Sequence, residues 1–207
     1  MSFAGKEPIN LIITGVGGQG NISISRLLGQ AFMEEGYTIT IGETYGATQR
    51  GGSVASHVRI SREKIPYSPV TPRGKADIIL GLEPSESLRM LTAYGHSETF
   101  VVTNTRPICP LEVAAGEAEY PTLETITHSV SQLSRRAWYI NASEFALGLG
   151  NPLLTNIVMT GALIGTGLLP LERGKIERQL KLNFKGENQA VNLRAFELGY
   201  GAADGPG

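Results

Sequence analysis

The amino-terminal part of the chain alternates apolar runs with amphipathic segments, as strands and helices packed in layers do. An apolar run over residues 9–14 leads into a glycine loop at 15–20, and a segment with one apolar face follows over 22–35. This order predicts a strand, a tight turn and a helix whose first amides point out of the turn. A second strand is predicted at 37–42, with Glu43 at its end.

The same rhythm continues along the chain. Alternating apolar and polar positions predict a half-buried strand over residues 53–61, with His57 and Arg59 on its more polar face. Three further strands are predicted at 76–81, 99–104 and 138–140, and three helices at 84–91, 123–136 and 143–149. We therefore expect an α/β, Rossmann-like three-layer domain with a largely parallel sheet.

Beyond residue 151 no strand is predicted. An apolar helix is expected over residues 153–168, followed by helices beginning near 171 and 187. Three glycines of the apolar segment are expected to permit close helix packing: Gly161, Gly165 and Gly167. The expectation is one domain over residues 1–207, with a helical region at about 151–200 and a disordered tail at 201–207.

Composition and charge exclude several classes of function. With 207 residues, a formal charge of −1 and scattered basic residues, the chain carries no electrostatic footprint for nucleic acid or an acidic membrane. Cys109 is the only cysteine, so this chain cannot build a disulfide framework, an iron–sulfur cluster or a thiolate zinc site by itself. No metal ligands and no signal-peptide core are recognised, so a cytoplasmic location is expected.

The glycine loop fits the spacing G-x-G-x-x-G, which leaves three interpretations open. One is a dinucleotide site of an NAD- or FAD-binding oxidoreductase, with Glu43 binding a ribose. Another is a tight turn without a ligand. Gln19 argues for a third use, because a plain pyrophosphate turn does not require its side-chain amide.

A second loop also has the chemistry of a binding site. Arg50 precedes Gly51 and Gly52, so a guanidinium lies beside backbone amides without side chains, which suits a phosphate or a carboxylate. The proline-rich stretch over residues 65–72 is expected to be an extended connection or a docking edge. Asn156 lies in the apolar helix, where an amide binds backbone or a ligand.

Two segments read together resemble a known family. They are Gly15-Val16-Gly17-Gly18-Gln19-Gly20 and the run from Glu43 to Arg59 that contains Gln49-Arg50-Gly51-Gly52-Ser53. Their order and spacing resemble the gamma-type subunits of the 2-oxoacid:ferredoxin oxidoreductases, most closely the beta subunits of the indolepyruvate enzymes. Asn156 and the segments at 161–163, 169–172 and 192–199 agree, so the resemblance covers about residues 9–199.

The resemblance implies a subunit of an enzyme that decarboxylates a 2-oxoacid on thiamine diphosphate, passes electrons through iron–sulfur clusters to ferredoxin, and forms an acyl-CoA in anaerobic metabolism. It implies a larger partner that carries thiamine diphosphate, magnesium and the clusters, with coenzyme A as co-substrate. The 2-oxoacid stays open among pyruvate, 2-oxoglutarate, branched-chain oxoacids and aryl pyruvates such as indolepyruvate. The isolated chain is expected to be inactive, and a homodimer of it is compatible with an interface that lacks its partner.

No catalytic residue is assigned to this chain. The residues expected to bind substrate or coenzyme A, or to form the subunit interface, are Gly15, Gly17, Gly18, Gln19, Gly20, Glu43, Tyr45, Gln49, Arg50, Gly51, Gly52, Ser53 and Asn156. The competing hypothesis is a non-catalytic assembly module. In that case the apolar helix at 153–168 and the proline-rich edge would bind a partner, and the glycine loops would be turns.

Overall fold

The computed structural model describes residues 3–46, 52–64, 67–108, 113 and 119–203. The strands are β1 (Ile9–Val16), β2 (Thr38–Tyr45), β3 (Ser53–Ser61), β4 (Ile78–Gly81), β5 (Phe100–Asn104) and β6 (Arg136–Ile140). The helices are α1 (Asn21–Glu34), α2 (Pro84–Tyr94), α3 (Leu123–Leu133), α4 (Ala142–Gly148), α5 (Thr155–Gly165), α6 (Arg173–Asn183) and α7 (Gly186–Ala203), with a 3-10 turn at Pro152–Leu154.

The strands form one six-stranded sheet in the order β2-β3-β1-β4-β5-β6. Strands β1, β4, β5 and β6 pair in parallel, whereas β3 runs antiparallel to both of its neighbours, β1 and β2. The expected α/β class with a largely parallel sheet is confirmed. The sequence pattern did not predict that β3 lies between β1 and β2.

The sheet is covered on both faces, and alternate residues of β1 show the two cores. Leu11 and Ile13 belong to the larger apolar cluster, which also contains buried residues of α1, α5, α6 and α7. Ile12 points to the other face and packs in a smaller cluster that includes residues of α2 and α3. Burial on both faces explains why β1 reads as a continuous apolar run instead of an alternating one.

Strand β3 is more buried than its alternating pattern predicted. His57 and Arg59 lie on the face opposite Val58 and Ile60, as expected, but His57 is fully buried and Arg59 is 8% exposed, so the expectation of a half-buried strand is wrong. The reason is the segment that follows β3, whose Thr71 backbone N–H donates to His57 Nδ1 at 3.4 Å. The same segment passes so close to β2 that a Cβ atom on Gly42 would lie 2.4 Å from the carbonyl oxygen of Pro69. The described part of the proline-rich stretch therefore packs on the sheet, and residues 65 and 66 lie outside the described part.

Helices α5 and α7 pack with their backbones in close approach. A Cβ atom on Gly161 would lie 2.1 Å from the carbonyl oxygen of Phe196, and one on Gly165 would lie 2.5 Å from that of Tyr200. Gly167 acts differently, since it follows the end of α5 with a φ of +66° and open space around its Cα.

Helix α7 continues to Ala203, three residues into the segment predicted as a disordered tail, and the last four residues lie outside the described part. Within the described residues, no helix is long and apolar enough to cross a membrane.

Candidate functional site at the glycine loop

The glycine loop connects β1 to α1 at the edge of the sheet where the parallel strands end. Gly18 and Gly20 have φ values of +102° and +92°, which side chains other than glycine adopt only at a cost. Gly20 is the N-cap of α1, and within the described part of the chain no side chain caps the helix there. The first amides of α1 therefore lack partners within the helix and face the loop, an arrangement suited to an anion.

The side chain of Gln19 holds this loop in place. Its Oε1 accepts the backbone N–H of Val16 at 2.6 Å, and its Nε2 donates to the carbonyl oxygen of Leu82 at 3.0 Å. The glutamine thus joins the end of β1 to the residue that follows β4. Sequence reasoning placed Gln19 at a ligand, but both ends of its amide are engaged with backbone in this structure.

The two predicted loops lie side by side. The backbone N–H of Gly17 donates to the carbonyl oxygen of Gly52 at 2.9 Å. The backbone N–H of Gly46 donates to the carbonyl oxygen of Ser53 at 2.7 Å. Both ends of the β2–β3 connection therefore lie beside the glycine loop, because antiparallel β3 starts where β1 ends. The remaining candidates in this connection, Gln49, Arg50 and Gly51, lie outside the described residues.

Two buried carboxylates support the same edge. Glu86 accepts the Ser53 hydroxyl at 2.6 Å and is paired with Arg89 at 2.5 Å. Glu83 caps α2 by accepting the N–H of Glu86 at 2.9 Å, and it also accepts the hydroxyl of Tyr120. Burial and the bond to Glu83 raise the pKa of Tyr120 well above its usual value. Sequence reasoning did not single out these two acids, although Glu83-Pro84 directly after an apolar strand is a helix-start signal.

Glu43 is not placed where a dinucleotide fold needs its acid. In that fold the strand after the first helix lies next to β1, but here β3 separates β2 from β1. Two strand spacings, about 10 Å, then lie between the Glu43 strand and the glycine-loop strand. Glu43 accepts the hydroxyl of Tyr45 instead, and this hydrogen bond raises the pKa of Tyr45.

Two grooves flank the amino end of α1 and share Gly18, Gly20 and Ser23. The first, of about 430 Å³, is bounded on its other side by Tyr45 and Val54. The second, of about 610 Å³, reaches across to Arg106, Ser143, Thr155 and Asn156. Sequence reasoning missed Arg106, although it follows the end of β5, and parallel strands end at a common edge.

Exposed apolar side chains surround the second groove. Leu153 is 71% exposed, and Leu147 and Ile108 are also exposed on its wall. The apolar helix α5 behind them is different, since most of its side chains are buried in the larger cluster. The exposed apolar surface beside this groove is therefore its rim. The rim includes Leu153, the first residue of the segment named by the assembly-module hypothesis, whereas most of α5 is buried.

Residues 10–202 match the family model described as pyruvate ferredoxin/flavodoxin oxidoreductase. The chain belongs to this oxidoreductase family. A subunit of indolepyruvate oxidoreductase, IorB, from Thermococcus kodakarensis is 40% identical over 195 residues, which are 94% of this chain and 95% of that protein. The resemblance stated from the two loops is therefore confirmed.

Solved structures of oxidoreductases with the same fold are similar over nearly the whole chain. The gamma subunit of a keto/oxoacid ferredoxin oxidoreductase from Geobacter sulfurreducens is 20% identical with a TM-score of 0.66, covering 94% of this chain and 98% of that one. A 2-oxoglutarate:ferredoxin oxidoreductase from Magnetococcus marinus, solved with 2-oxoglutarate, coenzyme A and succinyl-CoA bound, is 21% identical with a TM-score of 0.72. The alignment covers 96% of this chain but only 31% of that longer chain.

Membership in the oxidoreductase family decides between two of the alternatives. The chain is a subunit of a 2-oxoacid:ferredoxin oxidoreductase. An independent NAD- or FAD-binding enzyme is not favoured, in agreement with the displaced position of Glu43.

Proposed function

We propose that this chain completes the coenzyme A and 2-oxoacid site of a thiamine-diphosphate-dependent oxidoreductase, beside a larger subunit that carries the cofactors. The observation that supports this most is the glycine loop at the amino end of α1, open to two grooves and faced by Arg106. Coenzyme A carries several phosphate groups, and helix amides together with a guanidinium are suitable donors to phosphate.

The cofactors are assigned to the partner on chemical grounds. Among the described residues, no group of three or more His, Cys, Asp or Glu side chains is placed to hold a metal ion. A cluster held by four thiolates needs more than the single Cys109 of this sequence. The sequence also has no G-D-G segment of the kind that thiamine diphosphate enzymes use to hold magnesium and diphosphate. Thiamine diphosphate, magnesium and iron–sulfur clusters, and electron transfer to ferredoxin, therefore belong to the complex.

The partner subunit is proposed to dock on the rim of the second groove. Exposed Ile108, Leu147 and Leu153 form its apolar part, and Arg106 lines the same groove as the glycine loop. Docking there would bury the apolar side chains and close the groove over a bound substrate. When the partner is absent, the same rim is the surface through which the isolated chain would form a homodimer.

Indolepyruvate or another aryl pyruvate is the proposed 2-oxoacid. The support is the 40% identity to a protein named as an indolepyruvate oxidoreductase subunit. Assay of the reconstituted complex with indolepyruvate, phenylpyruvate, pyruvate and 2-oxoglutarate tests this proposal. A higher kcat/KM for pyruvate or 2-oxoglutarate would contradict it.

The binding role is tested with Arg106→Gln and Arg50→Ala in the complex reconstituted with the larger subunit. We expect each to raise the KM for coenzyme A at least fivefold with a smaller effect on kcat, since the charge binds phosphate and does not take part in bond making. Arg178→Gln is the matched control, because Arg178 is 67% exposed on α6, on a different element from both loops.

The docking role needs a separate readout. Leu153→Asp should weaken assembly with the larger subunit in size-exclusion chromatography, whereas Leu182→Asp should not, although Leu182 is 56% exposed. Unchanged KM for coenzyme A in both arginine variants, with normal assembly, would leave only a structural role for the loops. Normal assembly of Leu153→Asp would move the interface elsewhere.

A further inference from the structure

A third groove, separate from the two beside the glycine loop, lies at the opposite edge of the sheet, where β1 begins. It has a volume of about 690 Å³, and its charged and polar lining consists of Lys6, Glu7, Asn10, Arg59, Lys75 and His96. Asn10 is six positions before Val16 along β1, which corresponds to about 20 Å of strand. The groove is therefore remote from the glycine loop.

Arg59 lies buried at the bottom of this groove. Only 8% of it is exposed, and its guanidinium stacks on the ring of Tyr67 with 4.7 Å between Cζ and the ring centroid. Nε donates to Asn10 Oδ1 at 3.0 Å, and Nη1 donates to the carbonyl oxygen of Ser68 at 3.1 Å. These contacts fix the plane of the guanidinium and use only neutral acceptors.

Acids on the segments around Arg59 have other partners. Glu63 accepts the hydroxyl of Tyr67 at 3.0 Å. Asp77 forms an ion pair with Lys6 and accepts the backbone N–H of Asn10 at 2.8 Å. Both carboxylate oxygens of Glu7 accept the backbone N–H of Arg62 at 3.0 Å. Throughout the described part of the chain, no carboxylate lies within ion-pair distance of Arg59. A buried cation without a counter-ion is costly, so a partner of negative charge is expected.

The free side of Arg59 faces the groove. No acceptor for its Nη2 is found within the described ranges, and Arg59 is part of the groove lining. The side chain of Lys75 is exposed at the rim, while its carbonyl oxygen binds Asn10 below. A planar guanidinium with free N–H groups and an adjacent ammonium provide the donor pattern that binds the oxygens of phosphate or carboxylate groups.

We propose that this groove is a second ligand site that binds a small oxyanion, a phosphate or carboxylate group, with Arg59 as the fixed donor and Lys75 as the mobile one. The ligand would neutralise the buried guanidinium and connect the segment at 67–75 to the amino end of β1. This site does not depend on the proposed coenzyme A site, because none of its lining residues is shared with the grooves at the glycine loop.

The test is isothermal titration calorimetry of the full chain with sodium phosphate and, separately, sodium acetate, each corrected with sodium chloride at equal ionic strength. Saturable binding is expected for at least one of the two anions, and the tighter one identifies the ligand class. Lys75→Gln should weaken that binding at least threefold. Arg59→Lys should weaken it at least fivefold, because a single ammonium nitrogen cannot both keep the contacts of Nε and Nη1 and replace the planar donor Nη2. Lys185→Gln, which removes an exposed charge outside the groove, should leave the binding unchanged.

Several outcomes would overturn the proposal. One is the absence of saturable binding of both anions. Another is binding that Arg106→Gln abolishes but Lys75→Gln does not, which would place the anion at the glycine loop. If Arg59→Lys does not fold, Lys75→Gln still decides the question, because an exposed rim lysine is not needed for folding.

Discussion

The side-chain amide of Asn156 lies against the backbone of Gly20, so close that a Cβ atom on Gly20 would come within 2.3 Å of Asn156 Nδ2. Asn156 is the second residue of α5, and Gly20 is the N-cap of α1. This contact joins the helical carboxyl-terminal half of the chain to the glycine loop. The position of Asn156 in an otherwise apolar helix is explained by this approach.

Alanine at Gly20 is predicted to be more damaging than alanine at Gly18. Both positions have positive φ, so each substitution should cost about 1–2 kcal/mol of stability from the backbone alone. Only Gly20→Ala also displaces Asn156, because no atom of the described residues lies within 4 Å of a Cβ atom on Gly18. Urea denaturation of both variants measures the difference, and equal losses would show that the Asn156 contact adds nothing.

Gln19→Ala is predicted to lower the free energy of unfolding by about 1–3 kcal/mol, since two hydrogen bonds to backbone groups are lost. The Val16 N–H loses the acceptor that Gln19 provides, whereas the Leu82 carbonyl oxygen still accepts from Asn104 Nδ2 at 3.1 Å. Gln132→Ala, in an exposed position of α3, is the control and should change stability by less than about 0.5 kcal/mol. Similar thermal midpoints for the two variants would contradict the bracing role of Gln19.

Gly199→Ala is predicted to force α5 and α7 apart. An added Cβ atom would lie 1.8 Å from the carbonyl oxygen of Val158, a backbone atom that cannot rotate away. We expect a loss of about 2–4 kcal/mol from overpacking. Gly201→Ala is the matched control in the same helix, with open space around its Cα, and it should stabilise the helix by about 0.5–1 kcal/mol. Chemical denaturation that ranks the two variants in the reverse order would refute this packing.

Buried His57 predicts a loss of stability in acid. Burial lowers the pKa of His57, and its Nε2 has no hydrogen-bond partner among the described residues. Below about pH 6.5 the unfolded chain takes up a proton at this histidine that the folded chain does not bind. The unfolded state then binds more protons, so stability falls as the pH decreases until the lower folded pKa is passed.

Replacement of the imidazole tests this pH dependence. His57→Phe keeps a ring against Tyr94, whose ring centroid lies 5.0 Å away, and should flatten the decline in unfolding free energy between pH 7 and pH 5. His128→Gln, at an exposed position, should leave the decline as in the unchanged protein. An undiminished slope in His57→Phe would assign the acid sensitivity to other groups.

The strands, helices and glycine loop could be predicted because each has a local signal. The apolar run of β1, the glycines before α1 and the alternation along β3 all depend on neighbouring residues. Strand order has no such signal, and for that reason Glu43 was assigned to the wrong neighbour. The pairing of β3 between β1 and β2 is decided by contacts between distant segments.

The candidate site was only partly predictable for the same reason. Joining the glycine loop to the loop before Ser53 required the family resemblance, and the structure brings Gly17 and Gly52 into contact. The amide of Gln19 binds Leu82, which is 63 positions away, so its bracing role could not be predicted from the loop itself. Arg106 could have been predicted as a site residue, because residues that follow parallel strands lie together at one edge of the sheet.

The reversed direction of β3 has a consequence for how such subunits can diversify. A parallel strand would require a covering helix between itself and the preceding strand, whereas the β2–β3 hairpin returns the chain through a connection of a few residues. The described ends of that connection, Gly46 and Gly52, lie beside the glycine loop, and no covering helix separates β2 from β3. Under the proposed binding role, substitutions in this connection would alter ligand binding while the sheet register and both apolar clusters stay as they are.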